Sequence, residues 1–168
     1  IPATAPVSNT GAAALLVSGS TGAVAVEAAD VTGNGTGGQG ILVTTTSGAI
    51  VIDAGRAVTT GTAFSSTTAD AVVALSTSGD ITITTGEAST AGPYTSGVAA
   101  QSETGNIVIA VDKASSTGVG GGIVSAQSVL FSGDVAVDGG AVTITVGEVA
   151  ANATAAAVQG LAYGDVTI

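Results

Sequence analysis

The chain has 168 residues, a length typical of one domain, and apolar types make up 45% of it. It contains no Cys and no His, which excludes disulfide bonds, thiol nucleophiles, Ser–His catalysis and zinc or haem sites built on those side chains. Two basic residues stand against twelve acidic ones, and the net charge of −10 argues against nucleic acids and anionic membranes as partners. No apolar stretch is long enough for a membrane helix, so no direct membrane insertion of this segment is predicted.

The beginning of the chain lacks the repeated pattern that follows. Pro2 and Pro6 punctuate it, so residues 1–10 are predicted to form an extended N-terminal segment. Repeats are predicted over residues 11–168, and the sequence stops inside one of them at Ile168. Because the first residue is Ile and no capping segment follows the last repeat, we expect a fragment of a longer protein.

A five-residue unit, Gly-x-(Val/Ile)-x-(Val/Ile), recurs along the chain. Six copies at near-regular spacing begin at Gly22, Gly48, Gly79, Gly105, Gly140 and Gly164. Successive glycines are therefore 26, 31, 26, 35 and 24 residues apart. The blocks around the glycines keep a fixed length, whereas the connections between them vary and are rich in Gly, Thr and Ser. Length variation confined to connections is typical of a solenoid whose loops lie on one side.

Within each block the hydrophobic period is two, and β-branched residues dominate, which predicts short strands. Tight Asn-Gly or Asp-Gly turns are largely missing between the blocks, so antiparallel hairpins are disfavoured. Parallel stacking of similar coils, about 4.8 Å apart, would instead place Ile on Ile, Ala on Ala and Gly on Gly. The predicted fold class is all-β, and the architecture is a β-solenoid of about six coils.

The charges supply an independent test of this register. Both basic residues of the chain fall in one column, eight positions after the repeat glycine, where the sign alternates from coil to coil. The column consists of Asp30, Arg56, Glu87, Lys113 and Glu148. In a parallel stack each cation would lie between carboxylates on the neighbouring coils. We expect a structural charge ladder worth about 0.2–1 kcal/mol per exposed pair; a charged binding strip is the functional alternative.

Pairs of carboxylates are the only candidate catalytic groups in the sequence. Glu27 and Asp53 share a column in consecutive coils, where they could share a proton or bind Ca²⁺. Two side chains fall short of the roughly 6–8 oxygen ligands that Ca²⁺ takes, so solvated acids are the favoured interpretation. Asp134 and Asp138 flank an inserted strand and would suit a glycosidase-like acid–base pair, but no aromatic sugar platform accompanies them. No catalytic residue and no metal site are therefore predicted.

Regular Thr arrays on a flat solenoid would indicate ice binding. The column three residues after the repeat glycine is predicted to face outward. It reads Ala25, Val51, Thr82, Val108, Thr143 and Thr167. Because Thr is interrupted in this column, ice binding is disfavoured.

Two segments carry a family resemblance. Residues 97–102 read Gly-Val-Ala-Ala-Gln-Ser before the unit at Gly105, and residues 122–128 read Gly-Ile-Val-Ser-Ala-Gln-Ser before a unit at Gly133. This pattern resembles the β-helical passenger regions of bacterial autotransporters and filamentous-haemagglutinin-like surface proteins, in particular low-complexity passengers of alphaproteobacteria. The resemblance implies a right-handed parallel β-helix exported through the outer membrane to the cell surface. The absence of Cys suits such export, and no C-terminal barrel pattern is present.

These observations predict a non-enzymatic extracellular β-helix, a stalk or adhesive passenger segment of a secreted bacterial surface protein, with no cofactor. The alternative is a self-assembling subunit of an extracellular filament or sheath, joined end to end through coil edges. The predicted partners are accordingly a second copy of the chain or the surface of a host or neighbouring cell. A polysaccharide-active enzyme is the third and least favoured hypothesis.

Overall fold

The computed structural model describes residues 2–3, 7–10, 13–19, 21–61, 69–118, 124–132, 135–151 and 158–168. Within these ranges the regular structure is entirely β. The strands are β1 (Pro2–Ala3), β2 (Val7–Thr10), β3 (Leu15–Ser18), β4 (Val24–Asn34), β5 (Ile41–Thr45), β6 (Ile50–Thr59), β7 (Val72–Ser76), β8 (Ile81–Thr90), β9 (Val98–Ser102), β10 (Ile107–Ser116), β11 (Val124–Ser128), β12 (Leu130–Ser132), β13 (Val135–Asp138), β14 (Val142–Ala151), β15 (Val158–Ala162) and β16 (Val166–Thr167).

Two parallel sheets hold nearly all of these strands. The first has eight strands in the order β1-β4-β6-β8-β10-β14-β16, with β2 also paired to β4. The second has six, in the order β15-β11-β9-β7-β5-β3. The chain alternates between the sheets, so sheet neighbours are separated in sequence by a strand of the other sheet. The prediction of an all-β chain with parallel strands is confirmed, and the arrangement is consistent with a β-solenoid.

The residues predicted as an extended N-terminal segment take part in the eight-stranded sheet. β1 pairs with Glu27 and Ala28 of β4, and β2 pairs with the stretch of β4 from Val31 to Asn34. Both pairings are parallel. Residues 1–10 therefore contribute two strands on the edge of the sheet beside β4.

Apolar side chains stack in register between the sheets. Ile50 pairs with Ile81, which pairs with Ile107, and Ile107 pairs in turn with Val142. Each of these four side chains is at most 1% exposed. These columns belong to the hydrophobic core. Burying such a side chain stabilises a fold by about 1.5–3 kcal/mol relative to leaving it exposed. The narrow space between the sheets suits Val, Ile and Ala.

The long strands of the eight-stranded sheet turn a corner part-way along. In β6 the alternation of buried and exposed residues changes phase, because Gly55 and Arg56 are both exposed between buried Ala54 and Ala57. A Cβ atom on Gly55 would lie 2.7 Å from the carbonyl oxygen of Ala29 on the preceding coil. A side chain does not fit there, so glycine permits the close approach of the two backbones. The residue after the corner projects into solvent.

The repeat glycines lie directly above one another. A Cβ atom on Gly48 would lie 1.9 Å from the carbonyl oxygen of Gly22, and one on Gly79 would lie 2.2 Å from that of Gly48. Gly105 has the same relation to Gly79, at 2.2 Å. Real Cβ atoms do not approach oxygen this closely, so stacking requires glycine at positions 48, 79 and 105, at the turn between the two sheets.

A column of buried hydroxyl groups closes the same turn. The Ser102 hydroxyl accepts a hydrogen bond from the Gly105 amide at 2.9 Å and donates one to the Gly79 carbonyl of the preceding coil at 3.2 Å. Each hydroxyl of this column forms one hydrogen bond within its own turn and another to an adjacent coil. Each of these residues is at most 8% exposed. The residues of this column are Thr45, Ser76, Ser102 and Ser128. Buried polar groups are tolerated because they are hydrogen-bonded in this way.

Candidate functional site

The structure brings the residues of the charge column together in strand register. Asp30 pairs with Arg56, and Arg56 pairs with Glu87. Glu87 pairs with Lys113, and Lys113 pairs with Glu148. All of them follow the corner of the eight-stranded sheet, where side chains project into solvent. Carboxylates and cations therefore alternate along one edge of the stack.

Two ion pairs within 4.0 Å form along this column among the residues that the structure describes. Arg56 Nε lies 3.2 Å from Glu87 Oε2, and Lys113 Nζ lies 3.9 Å from Glu148 Oε2. The side chains are 48% and 34% exposed in the first pair and 51% and 66% in the second. Pairs this exposed contribute about 0–1 kcal/mol each, because water screens the attraction and ordering the side chains costs entropy. The stabilising role of the ladder therefore stays a prediction.

The first acidic pair, Glu27 and Asp53, also lies in register on adjacent strands. Both side chains are exposed, and the next residue of the column is Thr84. Within the described ranges, no group of three acidic side chains is placed to hold a metal ion. Of the second acidic pair, Asp134 and Asp138, only Asp138 lies within the described residues. Asp138 is exposed, and its Oδ1 accepts a hydrogen bond from the Gly139 amide at 2.8 Å.

The outward column that was considered for ice binding is in register from coil to coil. Val51 pairs with Thr82, Thr82 with Val108, and Val108 with Thr143. Val51 is 47% exposed and Val108 is 44% exposed. The face therefore presents alternating Val and Thr side chains rather than a Thr array.

A groove on the outer face of the six-stranded sheet was not predicted from the sequence. Its volume is about 360 Å³, and its floor is apolar. Outward-facing residues of successive strands form most of it. Two of its glutamines, Gln101 and Gln127, lie in strand register with Leu75. The lining residues are Gln39, Leu42, Thr44, Asp70, Val73, Leu75, Ala99, Ala100, Gln101, Ser125 and Gln127. Val73 points outward yet is only 5% exposed, so the groove is a concave part of the surface.

Asp70 lines this groove and is 3% exposed. Its Oδ1 accepts a hydrogen bond from the Ser96 amide at 2.5 Å, and its backbone carbonyl accepts one from Gly40 at 3.1 Å. It therefore joins the coil before it to the coil after it. Buried carboxylates need such hydrogen bonds. The signal in the sequence is a lone Asp, two residues before β7, in a connection that is otherwise rich in Thr and Ser.

An antiparallel hairpin interrupts the repeated exterior at one turn. β12 pairs with β13 between Ser128 and Gly140, where the other coils have a short turn. The insertion explains the longest separation between repeat glycines, 35 residues. The Ser128 hydroxyl still accepts a hydrogen bond from the Gly140 amide, at 2.8 Å. The coil is therefore closed in the same way with and without the hairpin.

Comparison of the chain with family models, with curated proteins and with solved structures finds no match. A search of the described residues for helices long and apolar enough to cross a membrane also finds none.

Proposed function

We propose that this chain is a segment of a secreted bacterial surface protein, in which a right-handed parallel β-helix of about six coils forms a stalk or adhesive surface. The observation that carries the proposal is the register between coils. Isoleucine, glycine, hydroxyl and charged columns are each aligned across the sheets, as in the pairing of Ile81 with Ile107 and of Glu87 with Lys113. Such a sequence specifies stacking along an axis, which suits a protein that spans distance outside the cell.

The distribution of polar groups supports a structural rather than a catalytic role. The chain's two cations, Arg56 and Lys113, lie in the exposed charge column and contact carboxylates there. The buried hydroxyls of the turns bond to backbone groups, as Ser102 does with Gly79 and Gly105. These groups serve the stack itself. The proposal assigns no catalytic residue and no cofactor.

Contact with another surface is expected where the exterior departs from the smooth repeat. The groove around Val73 and Leu75 and the hairpin β12–β13 are two such places. Nucleic acids and anionic membranes are disfavoured as partners, because the chain carries a net charge of −10.

Surface location is tested by labelling intact source cells with antibodies raised against this chain, followed by protease treatment of the same cells. We expect labelling without permeabilisation and loss of the label after protease. Labelling that requires permeabilisation would contradict the proposal. Electron microscopy of the purified chain tests the filament alternative: short particles of uniform length favour the stalk, and long fibres favour end-to-end assembly.

A further inference from the structure

The hairpin ends in a dipeptide with an unusual local geometry. Asp138 is followed by Gly139, and this is the only Asp-Gly sequence in the chain. The Gly139 amide nitrogen lies 2.8 Å from Asp138 Oδ1, so it sits next to the carboxyl carbon of the preceding residue. Asp138 is exposed to water. The Gly139 nitrogen is thus held against the carboxyl group of Asp138, and proximity of this kind favours reaction between neighbouring groups.

The fold holds this geometry in place. Gly139 has a φ of +152°, which L side chains rarely adopt, and a Cβ atom there would lie 2.5 Å from the Ser128 carbonyl oxygen. The amide of the next residue, Gly140, donates a hydrogen bond to the Ser128 hydroxyl at 2.8 Å. No side chain on Gly139 shields its nitrogen from the carboxyl group. The turn therefore keeps a bare amide against an exposed carboxyl group.

We propose that Asp138–Gly139 is a site of spontaneous aspartate isomerisation, with water as the co-reactant. The Gly139 nitrogen loses its proton to solvent and attacks Cγ of the protonated Asp138 carboxyl group. A new N–Cγ bond forms, and one carboxyl oxygen leaves as water, which gives a five-membered succinimide. Water then attacks the former main-chain carbonyl carbon of residue 138 and breaks its bond to nitrogen. The product is isoaspartate. One water is released and one consumed, so the mass does not change.

The exposed aspartate Asp80 has a different geometry. Asp80 Oδ1 accepts a hydrogen bond from the Asn106 amide of the next coil at 2.8 Å, which directs the carboxyl group along the stack. Its own successor is Ile81, whose β-branched side chain crowds the amide nitrogen. Asp80 is therefore an internal control on the same molecule.

The reaction would change the hairpin at its base. Isoaspartate routes the main chain through Cβ and Cγ, so it adds one methylene group to the backbone between β13 and Gly140. Asp138 pairs with Leu130, and that pairing would shift. A covalent change at one residue would thereby alter how the hairpin projects from the coil.

The test is incubation of the folded chain at neutral pH and 37 °C, with isoaspartate located by electron-transfer mass spectrometry of proteolytic fragments. We expect isoaspartate at Asp138 to exceed that at Asp80 by at least about tenfold, because proximity of this kind changes rates by such factors. Asp138→Glu should lose the signal, since ring closure would then need a six-membered ring. Asp138→Asn should pass through the same succinimide and gain about 1 Da as ammonia is lost and water enters. Equal isoaspartate at Asp138 and Asp80, or an unmodified Asp138→Asn chain, would overturn the proposal.

Discussion

Two turns of the molecule join the same pair of sheets at very different lengths. One runs from Ser102 to Gly105, and the other runs from Ser128 to Gly140 and contains the hairpin β12–β13. Both close with the same hydrogen bond, from the glycine amide to the serine hydroxyl, at 2.9 and 2.8 Å. The coil is therefore defined by the contacts at the two ends of the turn. The residues between those ends are free to vary, as in the connections of other repeat proteins.

Substitution at the glycine end of the turn is expected to cost more stability than substitution at the serine end. Replacing Gly105 with Val would place Cβ about where it meets the Gly79 carbonyl oxygen, 2.2 Å away, so the coils must separate. We expect a loss of about 3 kcal/mol in the free energy of unfolding, measured by urea denaturation. Gly22 is the matched control, because a Cβ atom there has nothing within 4 Å. Gly22→Val should change stability by less than about 0.5 kcal/mol; equal losses at both glycines would refute the stacking argument.

The serine end should contribute less. Ser102→Ala removes the acceptor of the Gly105 amide and the donor to the Gly79 carbonyl, and leaves both groups buried. We expect a loss of about 1–3 kcal/mol in the same denaturation experiment, because unsatisfied buried groups carry the full desolvation cost. Ser102→Thr keeps the hydroxyl, as Thr45 does naturally in this column, and should retain most of the stability. A Thr variant as unstable as the Ala variant would show that side-chain size, not hydrogen bonding, matters here.

Shortening the long turn should have a smaller effect. Replacing residues 129–139 with Glu-Thr copies the short turn between Ser102 and Gly105. Because the Ser128–Gly140 contact is retained, we expect the fold to persist and stability to change by about 1 kcal/mol or less. The measurement is circular dichroism together with urea denaturation. A shortened chain that fails to fold would mean that the hairpin is part of the coil rather than an addition to it.

The smallest effect is expected at the charge column, which lies away from both turns. Arg56→Gln should lower stability by at most about 1 kcal/mol, because its partner Glu87 lies 3.2 Å away but both side chains are well exposed. The loss should shrink at high salt, where exposed pairs are screened. A double-mutant cycle with Glu87→Gln isolates the pair. A coupling energy of several kcal/mol would contradict a solvent-screened ladder.

The sequence predicted the columns that depend on repetition, and missed contacts that depend on individual side chains. The alternating charges recur at a fixed offset from the repeat glycines, which include those at 48, 79 and 105. The alignment of both sets could therefore be predicted from their spacing in the sequence. Ser102 is a polar residue at the end of β9, and only its burial and its hydrogen bonds reveal its role. Asp70 is similar, since its hydrogen bond to the next coil has no counterpart in the sequence pattern. Val73 follows the strand alternation but is covered on its outward side, which periodicity does not encode.

The central claim, that equivalent residues of successive coils lie side by side, is tested most directly by engineered cysteine pairs, since the natural chain has no Cys. Val51 and Thr82 are exposed and paired in register, so their Cα atoms should lie about 4.8 Å apart, within the range that a disulfide bridges. The Val51→Cys/Thr82→Cys chain is expected to oxidise readily to an intramolecular disulfide without loss of structure. The Val51→Cys/Thr84→Cys chain, two residues out of register, should cross-link much less. Equal cross-linking of the two pairs, or none in the first, would contradict the stacked arrangement.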